Sequence, residues 1–399
     1  MTKEEKIDEL LSRGVTEVID YEHLKKALLK GKTLRVKLGI DPTSPNIHIG
    51  RSVSLLKLRD FQDLGCKIVF IVGDFTGVIG DTSDKESERP MLTEEAVKKN
   101  MANYVEQAAK ILDMDKVEVH YNSEWLKKLD FSEIGNLADK FSVADFIARE
   151  NIRKRLDEGK RVSLREVLYP LMQGYDSVAV KADVEIGGTD QRFNLLAGRT
   201  LQPAYNQPSQ DILMTNLILG TDGRKMSSSW GNTINLADDA RQMFGKIMSI
   251  PDELIVSYFI HCTRIPMDKV NLYEKELAEQ KVNPRDLKLE LAKTITALYH
   301  GEPKAKEEID YFIETFSQKQ TPTDIPEIKM DKDQATVFEI LRKAFAENEK
   351  SNSEIRRLIS QGGVSFDGET KNNEKEIIEI HVEGLTLKAG KLNWFKIKA

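Results

Sequence analysis

The hexapeptide KIVFIV at residues 67–72 is almost continuously apolar, on both of the faces that a strand presents. A strand with one wet face alternates, so such a run suits a strand covered on both sides, as in a parallel sheet. A second run, LRVKLGI, occupies residues 34–40, and SVSLLKLRDFQDLG between the two has helical period and stops at Gly65. Strand, helix, strand within so short a span is a βαβ unit. KVEVH at 116–120 and DVEI at 183–186 continue the alternation. The expected fold is therefore α/β, with a Rossmann-like doubly wound parallel sheet over residues 1–215. Ligands of such sheets gather beyond the carboxyl ends of the strands, where Asp41 to Gly50 and Gly73 to Asp81 fall.

The rest of the chain divides by pattern. Ile7, Leu10 and Leu11 share one face of a charged first helix, with no signal-peptide apolar segment, which predicts a cytoplasmic protein. Residues 216–245 read as a loop and connection, 246–318 as an all-α segment, and the polar, Pro-containing 319–336 as a linker. Residues 337–399 read as a small α+β unit: a helix over 337–346, a helix over 351–361 with a Ser351/Glu354 capping box, and strands around an Asp367-Gly368 turn. No apolar run approaches the roughly 20 residues of a membrane span. Cys66 and Cys262 have no metal-ligand pattern around them, so neither a zinc site nor a disulfide framework is indicated. A net charge of −6 gives no global attraction to nucleic acid, but residues 337–399 hold 11 Lys and Arg against 10 Asp and Glu, with a basic patch at Lys388, Lys391, Lys396 and Lys398.

Four segments carry residues suited to chemistry. Asp41, Thr43, His48, Gly50 and Arg51 lead from a strand into a helix, whose N-terminus offers free N–H groups to phosphate oxygens. Asp81 shares that strand-end face with Asp41, and two carboxylates at one pocket favour a cation such as an ammonium group. Tyr169, Gln173 and Asp176, spaced i, i+4, i+7, line one helix face as a polar wall. Gly188 permits close backbone approach, and Asp190 suits ribose hydroxyls. Arg224, Lys225 and three serines form a glycine-flanked loop in which lysine is a movable charge for phosphates. Taken singly, each has a plainer reading: a capped helix, an exposed loop, a solvated face.

In this order the segments resemble a class I aminoacyl-tRNA synthetase, specifically the bacterial-type tyrosyl-tRNA synthetase family. HIGR at 48–51 is similar to the first signature of that class and KMSSS at 225–229 to the second, with Arg51 and Ser228 standing where the family has histidine and lysine. LYPLMQGYD and IGGTDQ look like its amino-acid and ribose motifs, and residues 337–399 like an RNA-binding fold shared with a ribosomal protein. The resemblance implies that tyrosine's ammonium is held by Asp81, Tyr169 and Gln173 with Asp41, and its phenol by Asp176. Lys37 falls where some members place a phenol contact. Thr43, His48, Lys85, Arg89 and Lys225 would meet phosphates. Gly50, Arg51, Ser54, Gly188, Asp190, Met226 and Ser228 would line the rest of the ATP site, with Gln191 near the reacting carboxylate. It further implies Mg2+ with ATP as substrate, no protein-bound metal, tRNA(Tyr) as partner through Arg356, Arg357, Lys388 and Lys391, and a homodimer. A tryptophanyl-tRNA synthetase and a non-catalytic RNA-binding relative are the alternative readings.

Overall fold

The structure, a computed structural model, describes residues 2–81, 91–317, 325–345, 350–381, 384–390 and 393–399. Lys85, Arg89 and Lys391 therefore lie outside the described residues. The chain divides into two compact units, Met1–Ala305 and Lys306–Ala399. Among the described residues no helix is long and apolar enough to cross a membrane.

The first unit is built on a six-stranded sheet of β1 (Val15–Ile19), β2 (Arg35–Ile40), β3 (Lys67–Val72), β4 (Val117–Tyr121), β5 (Val184–Gly188) and β6 (Asp211–Thr215), in the order β1-β6-β5-β2-β3-β4. All neighbours are parallel except β1, which runs antiparallel to β6. Ile68, Val69, Phe70 and Ile71 are wholly buried, as the apolar run at 67–72 requires. Helix α1 (Ile49–Asp63) connects β2 to β3 and ends at Gly65, whose φ of 85° lets the chain reverse. Helix α2 (Leu164–Val180) starts at a Ser163/Glu166 capping box and leads into β5.

One irregularity opens the sheet. β2 stays paired with β3 from Arg35 to Ile40 but meets β5 only at Val36/Val184 and Lys37/Glu185. Beyond Lys37 the two strands part, and this is the point where the strand order reverses. A crevice at such a switch point follows from the connectivity, since the crossovers on its two sides cover opposite faces.

The sequence reading needs three corrections. It had no strand at β1, because VTEVI is a half-exposed edge strand wedged between two helices and lacks a buried face to read. The all-α segment expected over 246–318 is not separate from the sheet domain. Its helices Ala240–Met248, Ile255–Cys262, Met267–Ala278 and Pro284–His300 belong to the first unit, whose boundary falls at Lys306. Arg13 from the first helix donates to the carbonyl oxygens of Phe259, Ile260, Thr263 and Ile265, satisfying the end of one of these helices from a distant part of the chain. Third, the stretch expected as a linker over 319–336 contains the strands Glu327–Lys329 and Gln334–Thr336. Strands this short carry no period, and their partners lie more than forty residues on.

In the second unit a five-stranded sheet runs Glu369–Thr370, Val364–Phe366, Leu385–Ala389, Asn393–Lys398, Glu327–Lys329. Helices Val337–Ala344 and Asn352–Ser360 both begin in capping boxes, Thr336/Glu339 and the anticipated Ser351/Glu354. Positive φ at Asp367 (46°) and Gly368 (88°) makes the expected tight hairpin turn. Val337, Leu341, Ile355, Leu387 and Ile397 form its core.

Candidate active site

The crevice between β2 and β5 is a cleft whose buried end is acidic and whose open end is cationic and hydroxylic. At the buried end Tyr169, Gln173 and Asp176 project from one face of α2, as their spacing required. Asp176, 3% exposed, accepts hydrogen bonds from Trp125 Nε1 at 2.7 Å and Asn122 Nδ2 at 3.3 Å. Burial pushes its carboxyl up from the ordinary 3.8 to about 7, against the pull of Lys37 and of those two donors. Asp41, just past β2, accepts from Thr76 Oγ1 at 2.7 Å and Tyr169 Oη at 2.8 Å, and burial raises it to about 6. Asp81 receives Gln191 Nε2 at 2.7 Å, and Gln191 in turn accepts from Asn194 Nδ2 at 2.9 Å. Three carboxylates thus converge on one space, which suits an ammonium group or a hydroxyl donor.

Gly73 makes this arrangement sterically possible. A Cβ there would lie 2.0 Å from Asp41 Oδ1 and 2.4 Å from Thr76 Oγ1. Gly73→Ala is expected to break the Thr76–Asp41 hydrogen bond and lower unfolding stability by about 2 kcal/mol, the worth of a hydrogen bond to a charged group. A urea midpoint equal to that of the parent protein would refute the crowding.

At the open end His48 stands at the N-cap position of α1, and Thr43, Ser44, Gly50, Arg51, Ser54, Gly188, Asp190, Lys225, Met226 and Ser228 are among the lining residues. His48 Nδ1 is buried with no hydrogen-bond partner among the described residues. Burial, then repulsion from Arg51 and Lys225, lowers this imidazole to about 3, so it is a neutral ring at physiological pH. Arg51 does not point freely at the cleft: it donates to Asp41 O, Tyr104 Oη and Thr43 Oγ1 at 3.0–3.3 Å and so fixes the 41–44 loop. Lys225 Nζ is 3.5 Å from Asp190 Oδ2. Its loop is cinched by Asn232, which donates to Asp222 Oδ1 and Lys225 O and accepts from Ser227 N. Ser228 Oγ reaches Ser44 Oγ at 3.4 Å, so the second signature segment meets the loop that precedes the first.

Lys37 is the described residue that the structure does not bring into the first unit's cleft. It is wholly buried beneath it, paired with Glu185, so it offers no contact to a bound phenol. Arg356 and Arg357 lie on an exposed helix face of the second unit, where Arg356 also pairs with Glu374 at 2.8 Å. Lys388 sits 4.9 Å above the Trp394 ring. Reading the sequence missed Thr76, Asn122, Trp125 and Glu185. For Glu185 a signal existed: VEI at 184–186 and VKLGI at 36–40 each carry one charge, of opposite sign, between apolar neighbours, and a buried charge needs a partner. For the other three none did, because they come from separate connections after β3 and β4.

Comparison with known proteins agrees with this geometry. Residues 29–317 match the family model described as tRNA synthetases class I (W and Y). The chain is 44% identical over 398 residues to a tyrosine–tRNA ligase of Thermotoga maritima, covering 100% of this chain and 98% of that one. It is 46% identical to one from Carboxydothermus hydrogenoformans, covering 98% and 97%. Among solved structures, a C-terminally truncated mitochondrial tyrosyl-tRNA synthetase of Aspergillus nidulans superposes with a TM-score of 0.64 at 21% identity over 78% of this chain and 94% of that one. A tyrosyl-tRNA synthetase from Archaeoglobus fulgidus, complexed with L-tyrosine, gives 0.61 at 23% over 77% and 100%. These two speak to the fold alone. With the family model spanning the cleft and near-full-length relatives of one kind, the chain belongs to the class I aminoacyl-tRNA synthetases and, within them, to the bacterial-type tyrosine–tRNA ligases.

Proposed function

We propose that the cleft activates tyrosine with Mg-ATP to tyrosyl-adenylate and pyrophosphate, and then passes the tyrosyl group to the terminal ribose hydroxyl of tRNA(Tyr). The observation that carries this reading is one cleft with Asp176 buried at its floor and His48 and Lys225 at its mouth. Asp176 accepts the phenol hydrogen bond. Asp81, Tyr169 and Gln173, with Asp41 behind them, hold the ammonium, so the substrate carboxylate points to the mouth. There it attacks the α-phosphorus in line, and the chain need supply only position and charge. Thr43 and neutral His48 donate to phosphate oxygens, Gly188 and Asp190 receive the ribose, and Lys225 follows the charge that develops on pyrophosphate. A Cβ at Gly188 would stand 2.6 Å from Asp190 Oδ1, which explains the glycine.

Magnesium neutralises phosphate charge when it is bound with the nucleotide. Asp41 and Asp176 are already engaged by Thr76, Tyr169, Trp125 and Asn122, which fits a metal held by phosphates rather than by these carboxylates. For tRNA, the hairpin of Leu385–Ala389 and Asn393–Lys398 turns Leu387, Ala389, Phe395 and Ile397 to the core, leaving Lys388, Trp394, Lys396 and Lys398 on the opposite face. Lysines beside an indole suit phosphates and an unstacked base. Exposed Phe131, Val143, Ile147, Leu156 and Leu164 support a homodimer, and the cytoplasm is the expected compartment.

Tyrosine-dependent exchange of pyrophosphate into ATP tests the reading. A folded sample that shows no exchange with tyrosine, or equal exchange with tryptophan, would overturn it. Lys225→Ala is expected to lower the turnover of adenylate formation by at least about tenfold with little change in tyrosine affinity, since its contact strengthens as charge moves to the leaving group. Single-turnover kinetics at varied tyrosine and ATP separate the two effects. A change confined to apparent tyrosine affinity would remove Lys225 from the phosphate role.

A further inference from the structure

At the base of the cleft, with Glu185 on its wall and Lys37 buried behind it, lies a charge pair that the reaction itself does not require. Lys37 on β2 and Glu185 on β5 stand in register, their side chains 0% and 1% exposed, with Nζ 2.8 Å from Oε1. The three donors of the ammonium are taken by Glu185, Ser177 Oγ at 2.8 Å and Gln173 O at 3.1 Å. The carboxylate draws on the same turn of α2, from Gln173 Nε2 at 3.2 Å and Ser177 Oγ at 3.0 Å, and also from Gln210 Nε2 at 2.5 Å. Gln173 and Ser177 flank Asp176. A buried ion pair seldom stabilises a fold more than apolar side chains of the same size, so its placement calls for another reason.

We propose that the Lys37–Glu185 pair is a positioning and specificity element of the tyrosine site, which holds the 173–177 turn in place and whose ammonium sets the charge that Asp176 presents to the substrate ring. The inference rests on the reading of this cleft as the tyrosine site. It accounts for Lys37 where a direct phenol contact was expected: the residue acts on the phenol through Asp176 instead of touching it. Lys37 is the strongest influence that favours the ionised form of Asp176, and Glu185 opposes that form more weakly. The other charged or titratable groups around Asp176 are Tyr169 on its own helix, Asp41 and Asp81 beyond Tyr169, and His120 against the Trp125 ring. Trp125 and Asn122 are neutral donors and do not titrate in this range.

The two charges pull Asp176 in opposite directions, and the test uses this. Glu185→Gln keeps the side-chain shape and one acceptor, presents its new amide N–H to Ser177 Oγ and to a Gln210 amide that can turn its oxygen toward it, and removes the opposing charge, so the acid limb of kcat/KM for tyrosine should move to lower pH. The pair-neutral variant Lys37→Met with Glu185→Gln avoids a lone buried charge. Its acid limb should move up by about one pH unit, and its preference for tyrosine over phenylalanine at pH 7 should fall by about tenfold, mainly through KM for tyrosine. Pyrophosphate exchange across pH on the full chain, with thermal unfolding to confirm folding, measures all of this. If both folded variants keep the parent acid limb and the parent selectivity, the pair is merely structural and the proposal is wrong. If the double variant does not fold, Glu185→Gln alone decides, since a limb that stays or rises overturns the proposal. A parent protein without tyrosine-dependent exchange would instead sink the reading of the cleft.

Discussion

Asp176→Ala is expected to lower kcat/KM for tyrosine by about two orders of magnitude while leaving the activation of phenylalanine nearly unchanged. The carboxylate is buried and receives Trp125 and Asn122 from one side, which leaves its remaining acceptor capacity for the ring hydroxyl. A hydrogen bond to a charged group is worth about 1.5–3 kcal/mol, or roughly ten- to a hundredfold and somewhat more in rate. Truncation also strands the Trp125 and Asn122 donors, but with either amino acid alike, so this does not enter the discrimination. Asp176→Asn keeps an acceptor but not its charge, and should cost only about tenfold. Phenylalanine has no hydroxyl to lose, so discrimination should shrink by the same factor. Competitive exchange assays with both amino acids provide the measurement. A parallel fall for both substrates would mean that Asp176 shapes the floor without reading the hydroxyl.

Between pH 8 and pH 5 the parent protein is expected to gain about 2–3 kcal/mol of stability that Asp176→Asn does not gain, while the buried His48, lowered to about 3, opposes the gain in both proteins alike. Burial raises Asp176 from 3.8 to about 7 and Asp41 to about 6, so between about pH 4 and those values the folded state holds protons that the unfolded state has released. Stability from this source is fully present below the unfolded value. It is lost as pH rises through the folded value and is flat above it. One pH unit of difference is worth 1.36 kcal/mol, so Asp176 alone accounts for about 2–3 kcal/mol between pH 5 and pH 8. Urea unfolding of the parent and of the Asn variant at both pH values checks it. A parent and an Asn variant with the same pH dependence would show that Asp176 is solvated enough to ionise normally.

Both expectations depend on features of unequal legibility. The i, i+4, i+7 spacing of Tyr169, Gln173 and Asp176 is a local property of one helix, and it put all three on the cleft wall. His48, Gly50, Gly188, Asp190 and Lys225 were legible because each lies within a few residues of a strand end or a tight loop. The environment that shifts Asp176 was not, since Trp125 and Asn122 follow β4 and lie about fifty residues away in sequence. The same holds for the partners of Arg51: it lines the cleft as expected, but nothing near it in sequence showed that its guanidinium also holds the 41–44 loop and Tyr104.

By itself the sequence determined whatever depends on near neighbours: the apolar strands β2 and β3, the helix between them, the capping boxes at Ser163 and Ser351, the Asp367-Gly368 turn, and the order of the two signature segments. Periodicity, capping and turn chemistry act within about one helical turn, so a short window contains their cause. Tertiary structure alone decided that β1 joins the sheet antiparallel, that Glu327–Lys329 completes the C-terminal sheet, and that Lys37 lies under the cleft facing Glu185. Strand register and helix docking are set by contacts between distant residues, each of which is compatible with several partners until the whole core closes and buries the charges that only one pairing can satisfy.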